Sequence, residues 1–195
     1  MNYFLLSIDV ELAPRNSNSD KDSKEENSPV FYFMENIIKI NFLNFDFSEV
    51  IDMSGMFFFC KSLTSIDFSN INTSSFTKMD CMFFDCISLK NLDLRSFDTK
   101  SVTSMIQTFF DCFSLENLDI SSFNTSSVTN MFQMFLNSQV LKSLDLSNFD
   151  TSSVTTFYEM FLNCLALENL NLKNFNTKLV TNMAQMFYGC INLIS

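Results

Sequence analysis

Apolar and polar positions repeat along this chain with a fixed period of 26 residues, without insertion or deletion. Six complete units begin at Ile37, Leu63, Leu89, Leu115, Leu141 and Leu167, and a seventh begins at Leu193. Early in each unit apolar and polar residues alternate, as in Leu92-Asp93-Leu94, which predicts a short strand with one buried face. A period of this length is typical of a solenoid, in which every unit is one coil stacked on the next.

The second half of each unit has a different apolar spacing, of three and four residues. In the fourth unit the apolar residues are Val128, Met131, Met134 and Phe135, which predicts the buried stripe of a short helix. The polar segment 124–127 before them would supply N-cap oxygens. Strands and helices that alternate in one direction predict parallel strands joined by right-handed crossovers.

The predicted fold is therefore an α/β solenoid, a right-handed curved array with a parallel sheet on its concave side and short helices on its convex side. Parallel strands stack about 4.8 Å apart, whereas helices pack about 8–10 Å apart. This mismatch in spacing is expected to bend the array with the sheet inside the arc. Such a molecule offers a long binding face rather than a deep pocket.

The repeat boundaries predict three regions. Residues 37–195 form the solenoid, and residues 30–36 are in frame with the second half of a unit, so we expect them to be a degenerate N-terminal cap. Residues 1–29 are an N-terminal segment and disordered acidic linker, because 13–29 lack the large apolar groups that could offset the entropy of ordering. A short strand is expected within residues 3–12.

Aromatic and methionine residues recur at fixed unit positions and are expected to form the core. One phenylalanine column comprises Phe45, Phe97, Phe123, Phe149 and Phe175, with Ile71 in the second unit. A second comprises Phe57, Phe83, Phe109, Phe135, Phe161 and Phe187. A methionine column comprises Met53, Met79, Met105, Met131 and Met183, with Phe157 in the fifth unit. Residues at one position of a solenoid lie above one another, so each column predicts a continuous buried ladder.

Five of the six cysteines also share one unit position, which Ser138 occupies in the remaining unit. They are Cys60, Cys86, Cys112, Cys164 and Cys190. The favoured interpretation is that they are small buried residues of the core. Disulfide formation or metal binding is the alternative, although no Cys-x-x-Cys pair and no histidine completes a zinc site.

Four aspartates at one strand position, and two basic residues beside that column, are the candidate binding residues. They are Asp67, Asp93, Asp119, Asp145, Arg95 and Lys173. The aspartates lie between apolar strand positions, so they are expected to point outward from the concave face. The favoured interpretation is a solvated acidic stripe with raised carboxyl pKa values, because stacked like charges repel. A calcium site made of stacked carboxylates is the alternative.

Composition excludes several classes of function. The net charge of −10 comes without a basic stripe, which argues against nucleic acid and anionic membrane surfaces as partners. No apolar run approaches the roughly 18–20 residues that span a bilayer. Without histidine the serines and cysteines lack their usual general base, and two glycines cannot build a phosphate-binding loop. We therefore expect a noncatalytic protein with no cofactor, no resident metal and no membrane span.

The strand half of each unit follows the pattern Leu89-x-x-Leu92-x-Leu94, and the stretches LSNFDTSSVT at 146–155 and NMAQMFYGC at 182–190 show the fuller unit. A repeat of this form resembles that of the BspA-like family of leucine-rich-repeat surface proteins. This resemblance spans residues 37–195. It implies a leucine-rich-repeat solenoid, secreted or attached to the cell surface, that takes part in adhesion to host proteins or other cells.

The predicted function is accordingly a noncatalytic module whose concave face binds a protein or glycan. The first residues lack a basic start and Asp9 interrupts their apolar run, so no signal peptide is recognised. A surface or secreted location follows from the resemblance, and a cytoplasmic scaffold for protein–protein interactions is the alternative. Open strand edges at the ends of the array also favour end-to-end self-association.

Overall fold

A computed structural model describes residues 9–12, 31–42, 47–69 and 71–194 of the chain. Seven short strands lie in these residues: β1 (Asp9–Leu12), β2 (Ile37–Asn41), β3 (Ser65–Asp67), β4 (Asn91–Asp93), β5 (Asn117–Asp119), β6 (Ser143–Asp145) and β7 (Asn169–Asn171). The strand expected within residues 3–12 is observed as β1. Residues 3–8 and the linker predicted at 13–29 lie outside the described residues.

Three pairs of successive units are joined by parallel strands, which form three separate small sheets. β2 pairs with β3, β4 with β5 and β6 with β7. Leu92 lies opposite Leu118 and Asp93 opposite Asp119, so equivalent unit positions are neighbours. β1 runs antiparallel to β2 and occupies the edge of that sheet. The parallel strands that the alternating pattern predicts are therefore present.

A second set of parallel bridges joins the units in their later half. It runs through Asp52, Lys78, Ser104, Asn130, Thr156 and Asn182. Beyond it, backbone N–H groups donate to carbonyls of the following unit, as from Phe83 to Thr108 at 2.9 Å and from Asp85 to Phe110 at 2.8 Å. The later halves of neighbouring units are thus hydrogen-bonded at each junction, and the strand halves pair at alternate junctions.

The helices predicted for the second half of each unit are wrong: no helix occurs in the part of the chain that the structure describes. In the fourth unit, four-residue turns close from Met134 N–H to the Met131 carbonyl at 3.4 Å and from Ser138 N–H to the Phe135 carbonyl at 3.1 Å. The Gln133 and Phe135 N–H groups donate to the following unit instead, and an α-helix would need them internally. Consecutive turns place apolar residues at the same spacings as a helix does.

Two left-handed residues in every unit keep these turns from becoming a helix. In the fourth unit they are Gln133 with φ of 52° and Asn137 with φ of 59°, and equivalent residues have positive φ in the other units. A right-handed helix cannot contain such residues. The only two glycines of the chain, Gly55 and Gly189, occupy these two positions.

The described residues have no helices to set a wider spacing on the side opposite the strands. The predicted bend rested on strands about 4.8 Å apart facing helices about 8–10 Å apart. Backbone hydrogen bonds join neighbouring units in their later halves, as from Phe83 N–H to Thr108 O at 2.9 Å, whereas the parallel strands pair only as β2–β3, β4–β5 and β6–β7. The predicted curvature therefore lacks the helices that it required.

The predicted aromatic column forms the centre of the core. Ring centroids of Phe83 and Phe109 are 5.6 Å apart, those of Phe109 and Phe135 5.3 Å, and those of Phe135 and Phe161 5.5 Å, all nearly parallel. These four residues are fully buried. Phe31, one period before Phe57, stacks on it in the same way. Phe45, from the other phenylalanine column, lies outside the described residues.

The cysteine column belongs to the core, and the packing interpretation is confirmed. All six cysteines are free. Cys86 and Cys112 are buried, and their thiols each donate to a phenylalanine carbonyl of the preceding unit at 3.2 Å. Ser138 makes the equivalent contact to the Phe109 carbonyl at 3.5 Å. Burial raises the pKa of the Cys60 thiol to about 12.

A threonine column, whose role the sequence analysis missed, joins neighbouring units through buried hydroxyls. Thr99 accepts a hydrogen bond from Asn124 N–H at 2.8 Å and donates to the Asn124 carbonyl at 3.0 Å. Thr151 does the same with Asn176 at 2.7 and 3.1 Å. Both threonines are buried. The signal available in the sequence was the recurrence of threonine at one position, which we interpreted as part of a helix N-cap.

Candidate functional site

The candidate site is the strand face, formed by the outward side chains of β3 to β7 and the residues that follow each strand. The outward strand residues are Ser65, Asp67, Asn91, Asp93, Asn117, Asp119, Ser143, Asp145, Asn169 and Asn171. The central residue of each strand points inward and is buried or partly buried. Alternation along the strand therefore directs the predicted aspartates to solvent, as expected.

Each of these aspartates also closes the turn after its strand. The Asp67 carboxylate accepts a hydrogen bond from Ser69 N–H at 2.8 Å, and Asp145 accepts one from Ser147 N–H at 2.9 Å. Asp119 accepts from Ser121 N–H at 3.1 Å. This contact from a side-chain oxygen to the backbone two residues on is an Asx turn, which asparagine makes equally well. The aspartate column therefore has a structural role in addition to its exposure.

The carboxyl pKa values in the aspartate column differ from the prediction. Hydrogen bonds from Ser69 hold the pKa of the Asp67 carboxyl below its usual value. Those from Arg95 lower the pKa of Asp93, and the Ser147 backbone lowers that of Asp145. The expected rise from like-charge repulsion is thus wrong for these three residues, because donors that favour the charged form outweigh neighbouring carboxylates.

Arg95 joins two of the predicted aspartates. Its Nη2 lies 2.6 Å from Asp93 Oδ2, its Nε lies 3.0 Å from Asp93 Oδ1, and the same Nε lies 3.3 Å from Asp119 Oδ2. All three side chains are largely exposed, with 64% of the Arg95 side chain accessible. Lys173 follows β7. Its backbone N–H donates to Asn171 Oδ1 at 3.2 Å, and Asn171 lies opposite Asp145 in the β6–β7 pair.

A shallow depression of about 320 Å³ lies between β4 and β5 on the strand face. Its polar lining includes Asn91, Asp93, Asn117 and Asp119. Asn117 Nδ2 donates to Asn91 Oδ1 at 2.7 Å, which orients both amides. The depression therefore combines amide and carboxylate groups in fixed positions, and Arg95 adjoins it. Such a lining can accept hydrogen bonds from a ligand and donate others to it.

Asx turns recur at two further positions of each unit, away from the strand face. In one, Ser126 N–H donates to Asn124 Oδ1 at 3.1 Å and Ser152 N–H to Asp150 Oδ1 at 2.9 Å. In the other, Phe132 N–H donates to Asn130 Oδ1 at 2.9 Å. Three corners of a unit thus use the same local contact. Side-chain amides also link units elsewhere, as from Asn163 Nδ2 to Asn137 Oδ1 at 3.0 Å. What distinguishes the strand face is Arg95 and its ion pairs with Asp93 and Asp119.

Neither a metal cluster nor a membrane-spanning helix is found in the described part of the chain. No three or more Cys, Asp or Glu side chains there are grouped so that they could hold a metal ion. Within the same residues no helix is long and apolar enough to cross a bilayer.

The chain matches a protein-family model over most of its length. Residues 26–143 and residues 107–194 each match the sequence model of a family described as "Mycoplasma protein of unknown function, DUF285". No curated protein and no solved structure matches the chain. The two matched ranges overlap, and together they include all of the strand face.

Proposed function

The chain belongs to the family of Mycoplasma proteins of unknown function, DUF285, and we propose that it is a noncatalytic binding module whose strand face recognises a partner protein. In this proposal the units stack as a right-handed solenoid, and the resemblance to BspA-like leucine-rich-repeat proteins reflects a shared way of presenting such a face. A surface or secreted adhesion role follows from that resemblance.

The observation that carries the proposal is the depression between β4 and β5. It brings together oriented amides of Asn91 and Asn117, the carboxylates of Asp93 and Asp119, and the exposed guanidinium of Arg95. These groups match the donors and acceptors of a peptide backbone and of charged side chains. No aromatic ring lies among the outward residues of β3 to β7 to stack on a sugar, which favours a protein over a glycan.

An intracellular scaffold is the second candidate, and the free cysteines favour it. All six thiols are unpaired, whereas disulfides are common in proteins of oxidising compartments. The same strand face would bind the partner in this case. Protease treatment of intact cells separates the two candidates. Digestion of the chain in intact cells supports the surface location. A chain that is digested only after the cells are lysed supports the intracellular scaffold.

Binding itself is tested with the labelled chain against an array of purified extracellular proteins and an array of defined oligosaccharides. The proposal predicts selective, saturable binding to at least one protein. Selective binding to oligosaccharides alone would replace the protein partner by a glycan, and binding to neither array would contradict a surface adhesion role.

A pair of matched variants locates the site. Asp93→Asn with Asp119→Asn removes two charges from the strand face and keeps the turn-closing oxygens. Asp98→Asn with Asp150→Asn makes the same change at turns away from that face, where Asp98 pairs with Lys100 at 2.9 Å. We expect about tenfold weaker binding for the first pair, and an affinity close to that of the unaltered chain for the second. Equal losses would place the site elsewhere.

A further inference from the structure

One row of exposed side chains alternates in charge along the array. Its members lie just before the strands β4, β5, β6 and β7 and form the alternating row: Lys90, Glu116, Lys142 and Glu168. All four residues are exposed. The row borders the strand face, and Glu116 also lies at the rim of the depression between β4 and β5.

The backbone holds each lysine of the row beside the glutamate that follows it. Glu116 N–H donates to the Lys90 carbonyl at 2.8 Å, and Glu168 N–H donates to the Lys142 carbonyl at 2.8 Å. These two steps accompany the β4–β5 and β6–β7 pairs, in which neighbouring chains lie about 4.8 Å apart. The charges are therefore presented at regular steps along the array.

The charges of the row are not paired within the chain. Among the described residues the ion pairs involve Lys61, Arg95 and Lys100, and no member of the alternating row takes part in one. Neighbouring members have opposite charges, yet their side chains form no ion pair with one another. The row is therefore available to charges on another molecule.

The order of charges along the row is its own complement when it is reversed. It is plus, minus, plus, minus from Lys90, and minus, plus, minus, plus from Glu168. An antiparallel second copy would place Lys90 opposite Glu168 and Glu116 opposite Lys142, and two-fold symmetry makes each of these contacts twice. We infer that two copies of this chain form an antiparallel dimer through the alternating row, whether or not the strand face binds a partner protein.

A parallel arrangement of two copies fits the row less well. Two-fold symmetry about the array axis places each residue opposite its own equivalent, so like charges oppose one another at every position of the row. A parallel copy displaced by one unit pairs three positions and leaves the fourth without a counterpart. The antiparallel arrangement is the one that pairs all four.

An exposed apolar residue lies near the centre of this contact. Val140 is 40% exposed, and only the buried Leu141 separates it from Lys142 along the chain. The equivalent positions of neighbouring units have smaller side chains, Ser88, Ser114 and Ala166. The two-fold axis of the antiparallel dimer passes between Glu116 and Lys142, so dimerisation also covers Val140. Its small neighbours let the two copies approach closely there.

Sedimentation equilibrium over a series of protein concentrations tests the inference with three variants. Lys142→Glu places like charges opposite one another at two of the four contacts. The double variant Glu116→Lys with Lys142→Glu exchanges the two charges, so an antiparallel copy again meets an opposite charge at every position, whereas a displaced parallel copy does not. Lys78→Glu makes the same charge change at an exposed lysine in the later half of a unit and is the control.

We expect the unaltered chain and the control to approach the mass of a dimer as concentration rises, and the dimer to weaken as salt screens the charges. Lys142→Glu should weaken dimerisation at least about tenfold, and the double variant should restore it. Circular dichroism checks that each variant is folded. A folded double variant that stays monomeric would overturn the antiparallel arrangement. A monomeric unaltered chain at every concentration, growth beyond the dimer, or a control as weakened as Lys142→Glu would also overturn the inference.

Discussion

At the scale of single residues, short polar side chains close the corners of every unit. Asp145 and Asn171 make the same contact at equivalent strand ends, to Ser147 N–H at 2.9 Å and Lys173 N–H at 3.2 Å. Charge is therefore not needed for the turn itself. Each aspartate of the column can thus close its turn with one carboxylate oxygen and leave the other oxygen for a ligand. Exposure alone therefore could not separate turn closure from ligand binding.

Acid titration should show how far the charged aspartates of these turns stabilise the fold. The folded-state pKa values of Asp67 and Asp145 lie below the ordinary value of 3.8, so their charged forms stabilise the fold above that pH. This stabilisation is lost as the pH falls through 3.8 towards the folded-state values. Asp67→Asn with Asp145→Asn should flatten the fall in melting temperature below a pH of about 4.

The matched variant Asp145→Ala removes the acceptor as well as the charge. It should lower the free energy of unfolding by about 0.5–1.5 kcal/mol at neutral pH. The asparagine variants lose only the stabilisation by the charged form, so their loss should be the smaller. Chemical denaturation measures both. An asparagine variant as unstable as the alanine variant would show that charge, and not the turn contact, matters at this corner.

At the scale of elements, the sequence predicted the strands and failed on the segment between them. Alternation around Leu92 or Leu144 has one interpretation, because only a strand buries every second residue. The spacing of Val128, Met131 and Met134 has two interpretations, a helix or a series of turns, because consecutive turns with left-handed residues give the same spacing. Gln133 gives no warning of its positive φ of 52°, and only Gly55 and Gly189 mark these positions in the sequence.

The stacked phenylalanine column is the element on which the core depends most. Phe109 is fully buried between Phe83 and Phe135, with centroids 5.6 and 5.3 Å away. Phe109→Ala should lower the free energy of unfolding by about 3–5 kcal/mol, because it leaves a cavity and breaks two ring contacts. Phe187→Ala is the control, since that ring is 39% exposed and stacks on one side only, on Phe161.

Urea denaturation of both variants checks this expectation. The loss for Phe187→Ala should be clearly the smaller of the two. Equal losses would mean that ring stacking between units contributes little, and that the column is held by the backbone hydrogen bonds beside it.

At the scale of the whole molecule, identical contacts between successive units explain the strict period. The Phe, Cys and Thr columns each make the same contact across one period, as in Cys112 to Phe83 at 3.2 Å and Thr125 to Asp150 at 2.9 Å. An inserted residue would break every column at once. The period therefore predicted which residues contact one another. The choice of binding partner depends instead on a few exposed side chains such as Arg95, whose role the repeat pattern does not reveal.

Deleting one whole unit tests this account most directly. Removing residues 115–140 joins Ser114 to Leu141 and restores every column, so Phe109 can stack on Phe161. Thermal denaturation followed by circular dichroism should show the spectrum of the full chain and one cooperative transition at a lower temperature. Removing only residues 115–127 displaces the columns by half a period and should abolish that transition. Loss of cooperative unfolding on deletion of the whole unit, or equal tolerance of both deletions, would contradict the account.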